Sequence, residues 1–246
     1  MDTLKKEIAI LRQCSDFKEI EKQLQTINKL IVTNYMFELS NGIRIYPIEV
    51  EAYFKDSQFN DESVHGNKLQ KNNYGRFYVH RTGKTQDSKI KGGTRGGVDI
   101  CLSDDVNTYY GILIRSAKFD DGTTKFGPNN VLKFIIEDKN VDYKTLENDF
   151  VLKEAVEDCR DRENKSIILH STRVGLGRKQ SDDFRDLQLR TIVGLLSSSY
   201  AYKEKENVFR NYIINENLSK EEAEKMSIDI LGYCPKSLIK SIYEVL

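Results

Sequence analysis

The chain lacks the cysteine patterns that tie a protein's chemistry to a metal or to a disulfide framework. Cys14, Cys101, Cys159 and Cys234 are widely spaced, with no Cys-x-x-Cys and no histidine nearby. It also lacks an apolar run of membrane length, and Met1 to Gln13 mixes acid and base on a helical pattern without the apolar core of a signal peptide. No internal repeat, low-complexity segment or linker divides the 246 residues, which are enough to bury a full core. Lys+Arg and Asp+Glu stand at 38 each, so net charge selects no partner. What remains is the expectation of a cytoplasmic monomer in a reducing compartment, without membrane partner, metal or cofactor.

What is present starts at Tyr46 to Phe54. Read as a strand, its period of two puts Ile48, Val50, Ala52 and Phe54 on one face and Glu49, Glu51 and Tyr53 on the other. Two carboxylates and a phenol opposite an apolar face make either a solvated sheet surface or the floor of an active site. Glu49 lies about 7 Å along the strand from Glu51 and is read as a support or surface residue.

Further strands are expected over 75–81, 98–102, 109–119, 166–170 and 187–195. Phe77 and Val79 face inward with Tyr78 and His80 opposite; Val98, Ile100 and Leu102 face inward with Asp99, Cys101 and Ser103 opposite. The 109–119 segment is apolar on both faces, as in a central strand, and Arg115 near its end then requires a carboxylate or several acceptors. Asp99 is open to pairing with Arg81 or Arg115, or to contacting a base edge. His170 is read as a core histidine and Cys101 as buried and inert.

Residues 2–40 are helical by pattern, with Asp16 capping a helix whose stripe is Ile20, Leu24, Ile27, Leu30 and Ile31; Asn41-Gly42 then turns into the first strand. Gly127-Pro128-Asn129 opens a helix, and 139–165 looks like an acidic helical cover. From Tyr200 the chain is helical, with a Ser219/Glu222 capping box, a stop at Gly232 and a restart at Pro235. The domain reading is an N-terminal helical segment (1–40), an α+β core (41–198) and a helical C-terminal extension (199–246).

Between Gly66 and Gly97 lie Lys68, Lys71, Arg76, Arg81, Lys84, Lys89, Lys91 and Arg95 against Asp87 as the only acid. Such a glycine-rich basic stretch is either a solvated loop or a surface that tracks a phosphate backbone. Gly83-Lys84-Thr85 is no phosphate loop, because the required earlier glycine would fall at Tyr78.

A carboxylate beside a guanidinium, with rings at neighbouring strand ends, suits hydrolysis of a planar substrate. In this order the segments resemble the alkyladenine (3-methyladenine) DNA glycosylase superfamily. The resemblance rests on Glu49-Val-Glu-Ala-Tyr53, His65 in the next loop, Tyr78-Val79, Gly97 to Ser103, Ile112-Leu-Ile-Arg-Ser-Ala117, Gly127-Pro128 and Arg173-Val-Gly-Leu-Gly177, and spans about residues 40 to 195.

The resemblance implies an α+β single domain with a mainly antiparallel curved sheet flanked by helices. It implies a monofunctional glycosylase with no metal and no covalent intermediate, acting on duplex or locally single-stranded DNA. Glu51 would activate a water to attack C1′ of a flipped-out nucleotide, Arg115 would help to hold that water, and the Val174-Gly175 backbone would supply it a carbonyl. Tyr53 and His65 would stack on or hydrogen-bond the base, with Tyr78, His80, Asp99 and Ser103 completing the base site. Arg76, Arg81, Lys84, Lys91, Arg95, Arg178 and Lys179 would contact the DNA backbone.

The departures concern base reading. His80 stands where the family has a second stacking tyrosine, Thr94-Arg95-Gly96 where it has an aromatic wedge, and Ser103 (or Leu102) where it has a pocket asparagine; the His65 loop is longer. The expected substrate is therefore a modified base other than an alkylpurine, such as a bulky modified pyrimidine marking foreign DNA. The other readings are a non-catalytic nucleic-acid-binding module of this fold and a hydrolase of free modified nucleosides.

Overall fold

A computed structural model describes residues 3–155, 168–176, 181–193, 200–201 and 203–244. Helix α1 (Thr3–Leu11) leads into α2 (Phe17–Asn34), whose first turn is closed by the Asp16 carboxylate accepting from the Lys18 and Glu19 amides at 2.8 and 3.2 Å. Of the expected stripe, Ile20, Leu24, Ile27 and Ile31 are buried in the core and Leu30 is half-buried against it.

The helical pattern does not run on to residue 40. Tyr35–Glu38 forms strand β1, because aromatic Tyr35 and Phe37 fit a pleated half-buried surface and the Asn41-Gly42 turn returns the chain beside it as β2 (Arg44–Lys55). The remaining strands are β3 (Phe77–Val79), β4 (Val98–Cys101), β5 (Tyr109–Phe119), β6 (Thr124–Phe126), β7 (Leu152–Glu154), β8 (Ile168–Ser171) and β9 (Arg190–Val193). Their order is β3-β4-β5-β2-β1-β7, with β9 also on β2, β8 beyond β9, and β6 on β5. Every pairing among the described residues is antiparallel, and the fold is α+β.

Helix α3 (Pro128–Lys133) starts at the expected proline and runs into a π-helical turn over Phe134–Asp138. The acidic cover is corrected in part: a short helix α4 (Tyr143–Asn148) is followed by β7, which is drawn into the sheet by pairing with β1. Residues 156–165 of that expected helix, 166–167 of the strand expected after it, and 194–195 of the last expected strand lie outside the described residues. A one-turn helix α5 (Asp182–Arg185) precedes β9.

Helices α6 (Lys205–Asn215), α7 (Lys220–Leu231) and α8 (Lys236–Tyr243) share an apolar cluster of Phe209, Ile213, Ala223, Ile230 and Ile242. The Ser219/Glu222 box caps α7, and Gly232 ends it at φ +85°, a conformation that disfavours a side chain. Val208 of α6 packs on Leu169 and Ile192, which joins this unit to the sheet. Among the described residues no helix is long and apolar enough to cross a membrane.

Candidate active site

The β2 face expected to carry polar groups does so, but under cover: Glu49 is 2% and Glu51 0% exposed. The pairing of β2 with β5 is irregular here. Pro47 faces Ala117, Glu49 faces Ser116 and Val50 faces Ile114, so Ile48 and Arg115 each fall out of the one-to-one register. Such an irregularity re-aims a side chain, and Arg115 reaches both carboxylates. Its Nε donates to Glu49 Oε1 at 3.0 Å and its Nη1 lies 3.2 Å from Glu51 Oε1. Burial works against the Arg115 charge, but the carboxylates of Glu51 and Glu49 outweigh it and hold the pKa above the ordinary value.

Glu51 has two further donors. The Val174 amide donates to Oε1 at 2.7 Å and the Tyr53 hydroxyl to Oε2 at 2.9 Å. Burial, and then the Glu51 charge, push the Tyr53 phenol well above its ordinary pKa, so it stays a donor. The resemblance led us to expect the carbonyl of this backbone segment at the site; the group aimed at Glu51 is the Val174 N–H.

The loop that carries Val174 is fixed by Arg173, which is buried, paired with the fully buried Asp61, bonded to the Ala52 and Phe184 carbonyls at 3.1 and 3.0 Å, and stacked 4.8 Å from the Tyr53 ring centroid. Glu49 is a support and not a surface residue. Arg190 reaches its Oε1 through Nε at 2.8 Å and Nη2 at 2.7 Å, and the Ser116 hydroxyl donates to Oε2. Two guanidinium groups and two carboxylates thus neutralise one another within the sheet.

Beside this cluster opens a cavity of about 350 Å³ whose lining includes Tyr53, His65, Gln70, His80, Asp99 and Val174. Burial, and next the neighbouring His80, lower the His65 pKa to about 4, so its ring is neutral near pH 7. Lys91 Nζ sits 3.0 Å from His65 Nε2, and burial lowers the pKa of this lysine. A second cavity of about 310 Å³ is lined by Glu49 and Arg115 together with Thr94, Asn129 and Lys203.

Several expected site residues take other places. Asp99 pairs with neither Arg81 nor Arg115: its Oδ1 meets His80 Nε2 at 2.7 Å and its Oδ2 accepts from Gln70 Nε2 at 3.2 Å. Ser103 is buried away from the cavity, donating to the Asp105 and Thr108 carbonyls at 3.0 and 2.7 Å, because β4 ends at Cys101 and the alternation that would have carried it onto the face of Asp99 stops there. Tyr78 is fully buried behind His65, its hydroxyl 3.5 Å from Nδ1 and accepting the Arg81 amide at 3.2 Å.

The basic stretch divides in the same way. Arg81 is not a surface cation, since its largely buried guanidinium pairs with Glu147, and Arg76 donates to the Asn148 carbonyl. Lys91 stands behind His65 of the cavity wall. Lys84 and Arg95 are exposed, while Arg178 and Lys179 lie outside the described residues.

Gln70, Asp61 and Arg190 are not singled out by the sequence, and Arg173 enters there only as the first residue of the Arg173-Val-Gly-Leu-Gly177 motif. Gln70 is held by the Asn67 cap of a short 3-10 turn (Lys68–Gln70), and at Gly111 of β5 a Cβ would come within 2.9 Å of Asp99 Oδ2. Asn67-x-x-Gln70 is a capping-box pattern and was the one local signal for this group. Among the described residues no group of three or more His, Cys, Asp or Glu side chains is placed to hold a metal. The chain matches no protein-family model and no curated protein.

Proposed function

We propose that this chain is a DNA N-glycosylase that hydrolyses the bond between C1′ and a modified base flipped out of DNA, leaving an abasic site. One observation carries the reading: a buried carboxylate, Glu51, held by the Val174 amide, Arg115 and Tyr53 directly behind the wall of a polar cavity. Two fixed donors occupy Oε1, which leaves Oε2, met by Tyr53 alone among the described residues, to accept a proton from a water entering from the cavity. As the base departs, the sugar gains oxocarbenium character, and a carboxylate in a low-dielectric wall stabilises that charge.

The cavity, at about 350 Å³, falls in the range of about 300–1,000 Å³ typical of small-ligand sites and suits one nucleoside unit. Tyr53, His65 and His80 offer rings to a flipped base, and Lys84 and Arg95 offer exposed charge to phosphates. The order of motifs shared with the alkyladenine glycosylase superfamily supports the same reaction. The changes at His80 and at Thr94-Arg95-Gly96 favour a base other than an alkylpurine, including a hypermodified base of foreign DNA.

A second reading, a non-catalytic nucleic-acid-binding module, is favoured by one fact: Glu51 is 0% exposed, with Tyr53 and Val174 between it and the cavity. A strand-break assay separates the two. DNAs carrying alkylpurines, hypoxanthine or hypermodified pyrimidines are incubated with the protein and then treated with alkali. Breaks made by wild type and absent with Glu51→Gln support the glycosylase; salt-sensitive binding by both proteins without breaks supports the module. Breaks confined to alkylpurine DNA would remove the substrate assignment and keep the reaction.

A further inference from the structure

The hydrolytic reading uses Glu51, Arg115, Tyr53 and Val174 for the chemistry and gives a second constellation of the same cavity no part in proton transfer. His80 is 9% exposed, lines the cavity and holds Asp99 through Nε2 at 2.7 Å. Asp99 is itself 2% exposed and braced by Gln70, so its orientation is fixed independently of the imidazole. A carboxylate accepts, so Nε2 carries the hydrogen, and Nδ1 is the nitrogen that gains or loses a proton.

Nδ1 has no hydrogen-bond partner among the described residues. Its edge packs against Gly97, where an added Cβ would come within 3.0 Å of Cε1 and 3.1 Å of Nδ1, so a residue without a side chain is what lets the ring keep this place. A buried, braced carboxylate behind one imidazole nitrogen, with the other unpartnered on a ring that lines the cavity, is an arrangement for moving a proton. A ring that serves only for stacking has no need of it.

Resting on the glycosylase reading, we infer that His80 is the acid for the leaving base, and that the substrate is therefore a neutral base with an acceptor atom facing His80. Atoms and electrons balance. The C1′–N bond breaks with its electron pair going to the base, which takes the proton from His80 Nδ1. Water adds to C1′ and gives its proton to Glu51, and solvent then restores both groups.

A base already made cationic by N-alkylation carries its own leaving-group activation and gains nothing from such an acid. The groups facing His80 suit the assignment. Asp99 from β4 presents its carboxylate to Nε2; His65, 4.3 Å away between ring centroids, is kept neutral by burial; Tyr78 of β3, at 5.9 Å, is uncharged. Lys91 stands behind His65, and Glu62 lies on the rim of the cavity.

The experiment is the pH dependence of single-turnover base release from hypoxanthine- and 5-hydroxymethylcytosine-containing DNA by wild type, Glu51→Gln, His80→Gln and Asp99→Asn. We expect His80→Gln to slow release by about 10²–10⁴-fold and to lose the decline at alkaline pH. Asp99→Asn keeps the imidazole and replaces the carboxylate that fixes Nε2, so it should slow release while retaining an alkaline decline. Nitrogen-15 spectra of the free protein should show His80 protonated on Nε2 and titrating at Nδ1, which a folding defect in either variant would not obscure. Glu51-dependent release with an unchanged rate and alkaline limb in His80→Gln overturns this inference and leaves the glycosylase reading intact. No Glu51-dependent release from either neutral-base DNA overturns the assignment of a neutral base, and no such release from any DNA overturns both.

Discussion

Replacing Glu49 with glutamine probes whether the neutral cluster within the sheet holds the site together. Glu49 accepts from Arg115 Nε, from Arg190 Nε and Nη2, and from the Ser116 hydroxyl, with both arginines at most 5% exposed. Glutamine keeps the shape but removes one of two negative charges, so two guanidinium groups share Glu51 alone. It also aims an amide N–H₂ at donors. Breaking a buried pair by removing one partner costs about 3–5 kcal/mol. For a chain of this length, about 2–4 °C of melting temperature goes with each kcal/mol, which gives a fall of about 6–20 °C. Urea unfolding followed by far-UV circular dichroism reads the loss as a lower midpoint at unchanged slope. A loss under about 1 kcal/mol, the value of an exposed pair, would refute the claim that these charges depend on one another.

Three further outcomes rest on the same packing and charge pairs. Phe59 is fully buried among Phe17, Phe54 and Phe184, with ring centroids 4.8, 5.9 and 5.0 Å away, so Phe59→Ala should cost about 3–5 kcal/mol in the same urea assay. Burial holds His65 and His170 at about 4 in the folded chain against an ordinary 6.5. The unfolded chain therefore binds more protons between those values, and stability should rise from pH 4 to 6.5 and level off above it, with His170→Gln flattening the slope and a pH-independent midpoint contradicting the assignment. If the DNA reading holds, Arg81→Ala should lower the unfolding midpoint through loss of the Glu147 pair, while Lys84→Ala and Arg95→Ala should each reduce the slope of log K against log salt by about 0.9 for every phosphate left without its cation.

How much the sequence discloses depends on whether the cause is local. Asp16 and the three- and four-residue steps after it define α2, and β5 spans Tyr109–Phe119 as its apolar run implies. Strand β7, three residues long, exists because it pairs across the chain with β1, which no local period reports. At the site, Glu51, Tyr53 and Arg115 were legible because strand alternation and the cost of a buried guanidinium both constrain them. The rest depends on register. Arg190 meets Glu49 because β9 inserts beside β2 with Arg190 opposite Glu51, and His80 meets Asp99 because β3 pairs with β4. The slip that frees Arg115 from its place in β5 has no signature in the residues around it.

That Glu51 directs water at C1′ is tested most directly by free base released from modified DNA, detected by mass spectrometry, for wild type and Glu51→Gln at equal folded fraction. Far-UV circular dichroism sets that fraction, since Glu51→Gln also disturbs the Arg115 and Val174 contacts. We expect release by wild type and a rate at least about 10²-fold lower with the amide, the scale of a positioned general base. Equal release by the two proteins would contradict the role given to Glu51.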